Sequence, residues 1–258
     1  MQSTSLKITF LGTGTSSGVP MIGCQCEVCT STDKKDKRLR SSILVQSNTT
    51  TIVVDTTPDF RYQMLRAGVA KLDAVLYTHS HKDHIAGLDD IRAFNFFTQK
   101  AMNVYANELT TRAIRNEFAY IFSDKKYPGL PKVDMQLIPE NKFMIGDIGI
   151  IPVKVWHLDM QVLGFRFGDF TYITDANRID QQEMDKIIGS KTVVLNALRH
   201  KKHISHFNLD EAIQVADETG APEAFFTHIS HQLGKHTVIN KELPPGKALA
   251  YDMQVIST

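Results

Sequence analysis

The order of elements along this chain predicts an α+β fold in which sheets carry helices on their outer faces. Three observations carry that prediction. Short apolar runs, either alternating or continuous in Val, Ile and Leu, recur along the whole length. Helical stretches appear only after several strands and are then interspersed with further strands. No internal repeat, low-complexity tract or Pro/Gly/Ser linker divides the 258 residues, so residues 1–258 are expected to form one domain.

Residues 6–11 alternate as a strand and stop at Gly12, and a loop rich in Gly, Ser and Cys follows to about residue 37. Strands are expected at 42–46 and 51–55. A helix is expected after Thr57, with Pro58 at its first position, Asp59 near its positive end and Gly68 as its stop. Residues 73–78 read as a buried strand that leads into a histidine cluster. Further strands are expected at 102–106, 150–156, 163–167, 170–174, 192–195, 223–227 and 247–251, with helices near 87–97, 108–122, 178–188 and 208–219. Phe94, Phe96 and Phe97 fall in one of these helices and read as core packing, with pocket lining or a homodimer face as the alternatives.

Hydrophobic residues make up 42% and charged residues 22%, the composition of a soluble globular protein. No apolar run approaches the roughly 20 residues that span a bilayer, so no membrane partner is expected. Met1, Gln2, Ser3, Thr4 and Ser5 lack a secretory signature, which makes a cytoplasmic location the expectation. A net charge of +1 supplies no overall field for nucleic acid. Two basic clusters, residues 34–38 and 199–203, read as solvated loops, with help to an anionic substrate as the alternative; only the second lies near other candidate site residues.

The densest chemistry lies in Thr78-His79-Ser80-His81-Lys82-Asp83-His84. In extended chain His79 and His81 point to one side and can grip one ion, because side chains alternate faces. A turn after His81 would swing Asp83 and His84 toward a second ion. Imidazole with carboxylate suits zinc, manganese or iron(II) better than calcium or magnesium. The bland alternative is a polar surface loop, which such density at the end of an apolar strand disfavours.

This segment resembles the His-x-His-x-Asp-His motif of the metallo-β-lactamase superfamily. The resemblance implies a four-layer αββα sandwich with two divalent metal ions at one edge of the paired sheets. It also implies later ligands, for which His157, Asp175 and His228 stand ready, each just after an apolar run. Taken singly, these would read as a hydrogen-bonded histidine, a helix cap and a core histidine. Asp55 matches a position that orients a ligand histidine, with a plain turn residue as its alternative.

Gly12-Thr13-Gly14-Thr15-Ser16-Ser17-Gly18 runs into Pro20 and cysteines instead of a helix, which argues against a dinucleotide site. Its glycines are expected to permit tight turns and close backbone approach. Cys24, Cys26 and Cys29 are the only cysteines, and three crowded thiols suit metal ligation better than disulfides; three buried free thiols are the alternative. With His231 they complete four ligands, and the combination resembles the PhnP family of cyclic phosphodiesterases, in which such a loop holds a structural zinc. That resemblance also marks His206 as a catalytic histidine outside the ligand set, with His200 and His203 as rivals.

The expected activity is hydrolysis of a small phosphodiester, such as a ribose cyclic phosphate, by metal-bound hydroxide held partly through Asp83, with His206 as general acid. One rival is a transfer-RNA 3′ endonuclease. His157 and Asp175, eighteen positions apart, leave no room for the arm by which that family grips RNA. A non-catalytic metal-binding protein is the other rival.

Overall fold

In a computed structural model of the chain, residues 5–124 and 127–258 are described. Most of the N-terminal segment read for a secretory signature therefore lies outside them.

Among the described residues, two sheets of seven strands face each other. The first collects β1 (Lys7–Gly12), β2 (Ser42–Gln46), β3 (Thr51–Val54), β4 (Ala74–Leu76), β5 (Met102–Ala106) and β6 (Val133–Leu137). The second collects β7 (Phe143–Ile145), β8 (Ile148–His157), β9 (Met160–Phe167), β10 (Phe170–Tyr172), β11 (Thr192–Asn196), β12 (Glu223–Thr227) and β13 (Lys247–Leu249). The last strand, β14 (Val255–Ser257), returns to pair antiparallel with β1.

Apolar side chains of both inner faces interdigitate, among them Ile8, Phe10, Val54 and Leu76 from one sheet and Ile150, Phe165, Tyr172 and Val194 from the other. α1 (Phe60–Ala67), α3 (Arg92–Thr98) and α4 (Glu108–Glu117) cover the first sheet, through Phe60, Met64, Phe94 and Ile114, and the single turn α2 (Lys82–Ile85) lies in the histidine segment. α5 (Gln181–Ile187), α6 (Leu209–Thr219) and α7 (His236–Glu242) cover the second, through Ile187, Leu209, Ala212 and Ile239. This is the four-layer αββα sandwich. Among the described residues no helix is long and apolar enough to cross a membrane.

Local chemistry explains the helix limits. α6 opens on a capping box, with Asn208 accepting from the Glu211 amide and Glu211 accepting from the Asn208 amide. α1 starts at Phe60, two residues later than expected: residues 57–60 form a turn in which the Phe60 amide donates to the Thr57 carbonyl, and the Asp59 carboxylate, taken by the Arg40 side chain and amide, does not cap the helix. It stops at Gly68, whose φ of 64° is cheap only for glycine. β6, β7, β14 and α7 have no counterpart in the sequence reading. The strands are three to five residues long, β6 and β14 are largely unburied, and so short a run shows no clear period.

The expected helix at 87–97 divides into a 3-10 turn at Leu88–Ile91 and α3. Phe94 is buried there, whereas Phe96 and Phe97 stand in solvent, so core packing holds for only one of the three rings. The basic stretch 34–38 is also not wholly a solvated loop. Asp36 and Arg38 are buried, and Arg38 donates to Thr13 Oγ1 and the Ala250 carbonyl.

β3 and β4 run parallel, as do β10, β11 and β12, and β8 lies antiparallel to β9, which lies antiparallel to β10. Hence the C-terminal ends of β8, β10, β11 and β12 share one edge of the second sheet. The Leu163 amide of β9 donates to the Thr78 carbonyl after β4 at 3.0 Å, tying that edge to its counterpart in the first sheet.

Candidate metal centre

At this shared edge the singled-out residues of the two sheets meet. Asp55, Asp175 and His228 each follow a strand in the left-handed region, with φ of 67°, 57° and 55°. Side chains other than glycine and asparagine adopt it at a cost, and such cost persists where surrounding structure enforces it. Here the hydrogen bonds of each turn residue enforce it.

Asp55 is fully buried. Its Oδ1 accepts from the Thr78 amide at 2.9 Å, and its Oδ2 accepts from Thr78 Oγ1 and from His84 Nδ1, each at 2.8 Å. His79 Nδ1 lies 2.9 Å from Thr78 Oγ1, so one carboxylate orients two imidazoles, one directly and one through a hydroxyl. His157 Nδ1 donates to the Asp175 carbonyl at 2.9 Å. Each of these rings thereby has its Nδ1 engaged and its Nε2 left for another partner.

Two of those nitrogens, His79 Nε2 and His84 Nε2, are buried without a hydrogen bond. His84 Nε2 lies 3.2 Å from Asp83 Oδ2 and 3.2 Å from Asp175 Oδ2, but off the line a hydrogen bond needs. Lone pairs converging with carboxylates suit a divalent cation, and an orphaned buried nitrogen is costly without one. The donor atoms of Asp83, His84, Asp175 and His228 all lie within 4.8 Å of one another, as do those of His157, Asp175 and His206. Asp175 belongs to both groups, which is the arrangement a bridging carboxylate requires. His79 and His81, expected as ligands, fall in neither of these groups; their ring centres lie 4.7 Å apart beside the second, with that of His81 5.0 Å from His157.

Charge balance follows burial. Burial opposes charge on His84, yet Asp83, Asp175 and Asp55 together hold its imidazole well above the usual range. Burial drives His79 well below it. Burial also raises Asp175, but His228 and His84 more than reverse that and leave its carboxyl well below the ordinary value.

His206 sits at the border of the cluster, its ring 4.7 Å from His157 and 4.9 Å from His228. Its Nδ1 is buried, unpartnered and 3.8 Å from Asp175 Oδ1, closer to the donor set than the sequence reading has it. Burial pulls its pKa down to about 3 against the pull of Asp175. The half-buried His203 ring lies tilted against that of His206 at 5.1 Å, and His200 is exposed.

Thr15 is a residue that sequence reasoning passed over. Its Oγ1 lies 3.2 Å from His228 Nε2, which turns Nδ1 toward Asp175 Oδ2 at 3.1 Å. The glycine loop makes this contact because Gly14 pairs with Ile229, and a Cβ at Gly12 would sit 2.0 Å from the Arg40 carbonyl. Proximity to His228 was invisible in a chain separation of 213 positions.

Some distance along the same loop, Cys24, Cys26, Cys29 and His231 gather their donor atoms within 4.8 Å. His231 Nδ1 lies 3.4 Å from Cys24 Sγ and 3.3 Å from Cys26 Sγ. The His231 contact lowers the Cys26 thiol to about 6, while burial raises Cys29 to about 11. None of the three is in a disulfide, and four such ligands are a tetrahedral zinc set.

A β-lactamase superfamily domain matches residues 50–229, the span that runs from Asp55 to His228 of the histidine–aspartate cluster. The chain belongs to the metallo-β-lactamase superfamily. Within the superfamily it resembles the PhnP family: a diphosphatase of that family with a solved structure is 42% identical, with a TM-score of 0.91 over 97% of each chain. The octanoyltransferase of Porphyromonas gingivalis is 36% identical over 250 residues, which are 96% of this chain and 50% of that protein. Ribonuclease Z of a Bradyrhizobium species is 27% identical over 137 residues, 50% of this chain and 44% of the enzyme. The chain spans about half the length of the curated relatives it matches.

Proposed function

We propose that this superfamily member hydrolyses a small phosphodiester, with a cyclic ribose phosphate as the substrate class the PhnP resemblance favours. The observation that carries the reading is the Asp83–His84–Asp175–His228 group, buried but for a half-buried Asp83, which shares Asp175 with His157 and His206. The 42%-identical diphosphatase supports chemistry at phosphorus and adds a diphosphate diester as the nearest variant.

His79, His81 and His157 would hold one catalytic zinc or manganese, and Asp83, His84 and His228 the other, with Asp175 between them. Bound there, such ions lower the pKa of water and offset charge on phosphate oxygens. The chain's own residues do the rest. Asp55 fixes the faces of His84 and His79, and Thr15 fixes that of His228. His206 delivers a proton to the leaving oxygen. An anionic phosphate beside it raises its pKa in the same direction as Asp175, against burial. Cys24, Cys26, Cys29 and His231 would hold a structural zinc that braces the loop after β12.

Ribonuclease Z-like cleavage is the second reading, favoured by the partial match to that enzyme. The span from His157 to Asp175 speaks against it, since β9 and β10 fill it with short turns and leave no arm. A net charge of +1 also disfavours RNA. The deciding experiment assays zinc- and manganese-loaded protein on a bis-nitrophenyl phosphate, a cyclic ribose phosphate, a diphosphate diester, precursor transfer RNA, an octanoyl thioester and a lactam. Turnover of the small phosphodiesters with little action on the others is expected. Efficient cleavage of precursor RNA or of the thioester, with the small esters untouched, would overturn the reading.

A further inference from the structure

Two residues past Asp175, Asn177 meets the chain on both sides of His157. Its amide donates to the Trp156 carbonyl at 2.8 Å, and its Oδ1 accepts from the Leu158 amide at 2.9 Å. Its Nδ2 donates to the Ile204 carbonyl, also at 2.9 Å. The carbonyl of the preceding Ala176 accepts from the Phe207 amide at 2.7 Å. Ser205 and His206 are therefore bracketed by residues 176 and 177, as His157 is by Asn177 alone.

We infer that Asn177 is a positioning residue, which sets the His206 ring against His157 and Asp175 by tying the 199–206 loop to the β8–β9 turn. Its effect on catalysis rests on the reading of His206 as the group that delivers a proton.

Packing alone does not fix these two segments. Phe207 is buried and anchors the far end of the loop, but Lys201, Lys202 and Ile204 before it are exposed, Ile204 by 72%. Arg199 reaches the Lys201 and Lys202 carbonyls at 3.3 and 3.4 Å and stops short of Ile204. Leu158 is 48% exposed and has a φ of 54°, a conformation that costs a leucine and persists where neighbours enforce it. The side-chain type fits the task. A carboxamide offers an acceptor to one backbone and a donor to another, whereas an ionised carboxylate only accepts. The placement it protects is close, since the His206 ring lies 4.7 Å from that of His157 and its Nδ1 3.8 Å from Asp175 Oδ1. Misplacing a reacting group by about 1 Å can cost on the order of 100-fold in rate.

Asn177→Asp isolates the tie, because it keeps the acceptor facing Leu158 and turns an oxygen toward the Ile204 carbonyl. In the manganese-loaded full chain it should slow an alkyl phosphodiester by about 10-fold through kcat, and a nitrophenyl ester by less than about 2-fold. KM and metal content should change little. Placed in His206→Ala, it should add no further loss, because residues that act as a unit are not additive. Hydrogen exchange supplies a readout that needs no turnover. The Ser205 and Phe207 amides should lose protection in Asn177→Asp while the Leu158 amide keeps it. Asn177→Ala should release Leu158 as well, and it carries the exchange test should the first variant misfold. Unchanged protection of Ser205 and Phe207 overturns the inference, whatever the substrate. So does a loss in the His206→Ala background as large as in the unaltered chain. If His206→Ala spares the nitrophenyl ester but Asn177→Asp slows both esters alike, the inference is again overturned. If His206→Ala itself slows both alike, the acid reading fails, and the double variant still decides whether Asn177 acts through His206.

Discussion

Asp55 and His84, 29 positions apart and both fully buried, are joined at 2.8 Å. The same carboxylate takes the Thr78 amide and hydroxyl, so one residue sets the direction of the whole histidine segment. Asp55→Asn tolerates the positive φ and nearly keeps the shape, but loses the charge that holds the His84 proton. Metal retention should weaken by roughly 10–100-fold, the usual cost of losing such support. Chelator competition checks this, and unchanged retention would count against the orienting role.

Cys26→Ser should remove one zinc per chain, leave the other ions in place and lower the thermal midpoint, because structural zinc contributes folding free energy. Activity per folded molecule should largely survive. Metal analysis of the purified variant decides the matter: a full complement of ions would refute the assignment of this cluster to zinc.

His206→Ala should slow hydrolysis of an alkyl phosphodiester by about 100-fold or more, the scale of general acid catalysis. The loss should shrink on a nitrophenyl ester, whose leaving group departs as a stable anion. His79→Ala should impair both esters alike and reduce bound metal. Equal slowing on both esters by His206→Ala would assign the residue to phosphate binding, and loss of an ion would make it a ligand.

His236 provides a pH dependence away from the catalytic cluster. It is buried, its Nδ1 accepts from Arg38 Nη2 at 3.1 Å, and burial followed by Arg38 lowers its pKa from 6.5 to about 4. A folded-state pKa below the unfolded one means the unfolded chain binds the proton first. Its contribution is therefore fully present above pH 6.5 and is lost as pH falls toward 4. Denaturant unfolding of the unaltered protein and of His236→Asn should diverge at neutral pH and converge across that window. Parallel curves would show that His236 does not couple to folding.

Much of this protein is decided by order along the chain. The strand periodicities, the Thr78–His84 segment and the positions of His157, Asp175 and His228 at strand ends are local features, because alternation and ligand spacing act over a few residues. The C-terminal edge then assembles them, since parallel neighbours bring successive strand ends together. Tertiary structure alone decided the remainder. Thr15 reaches His228 across 213 positions and Arg38 reaches His236 across 198, contacts that no local pattern encodes. Phe94 and its neighbours Phe96 and Phe97 have the same side-chain type on one helix, yet the first is buried and the others exposed. Periodicity says that one face of a helix is apolar; which apolar rings meet the sheet, and which are left for another surface, depends on how the helix is set against it.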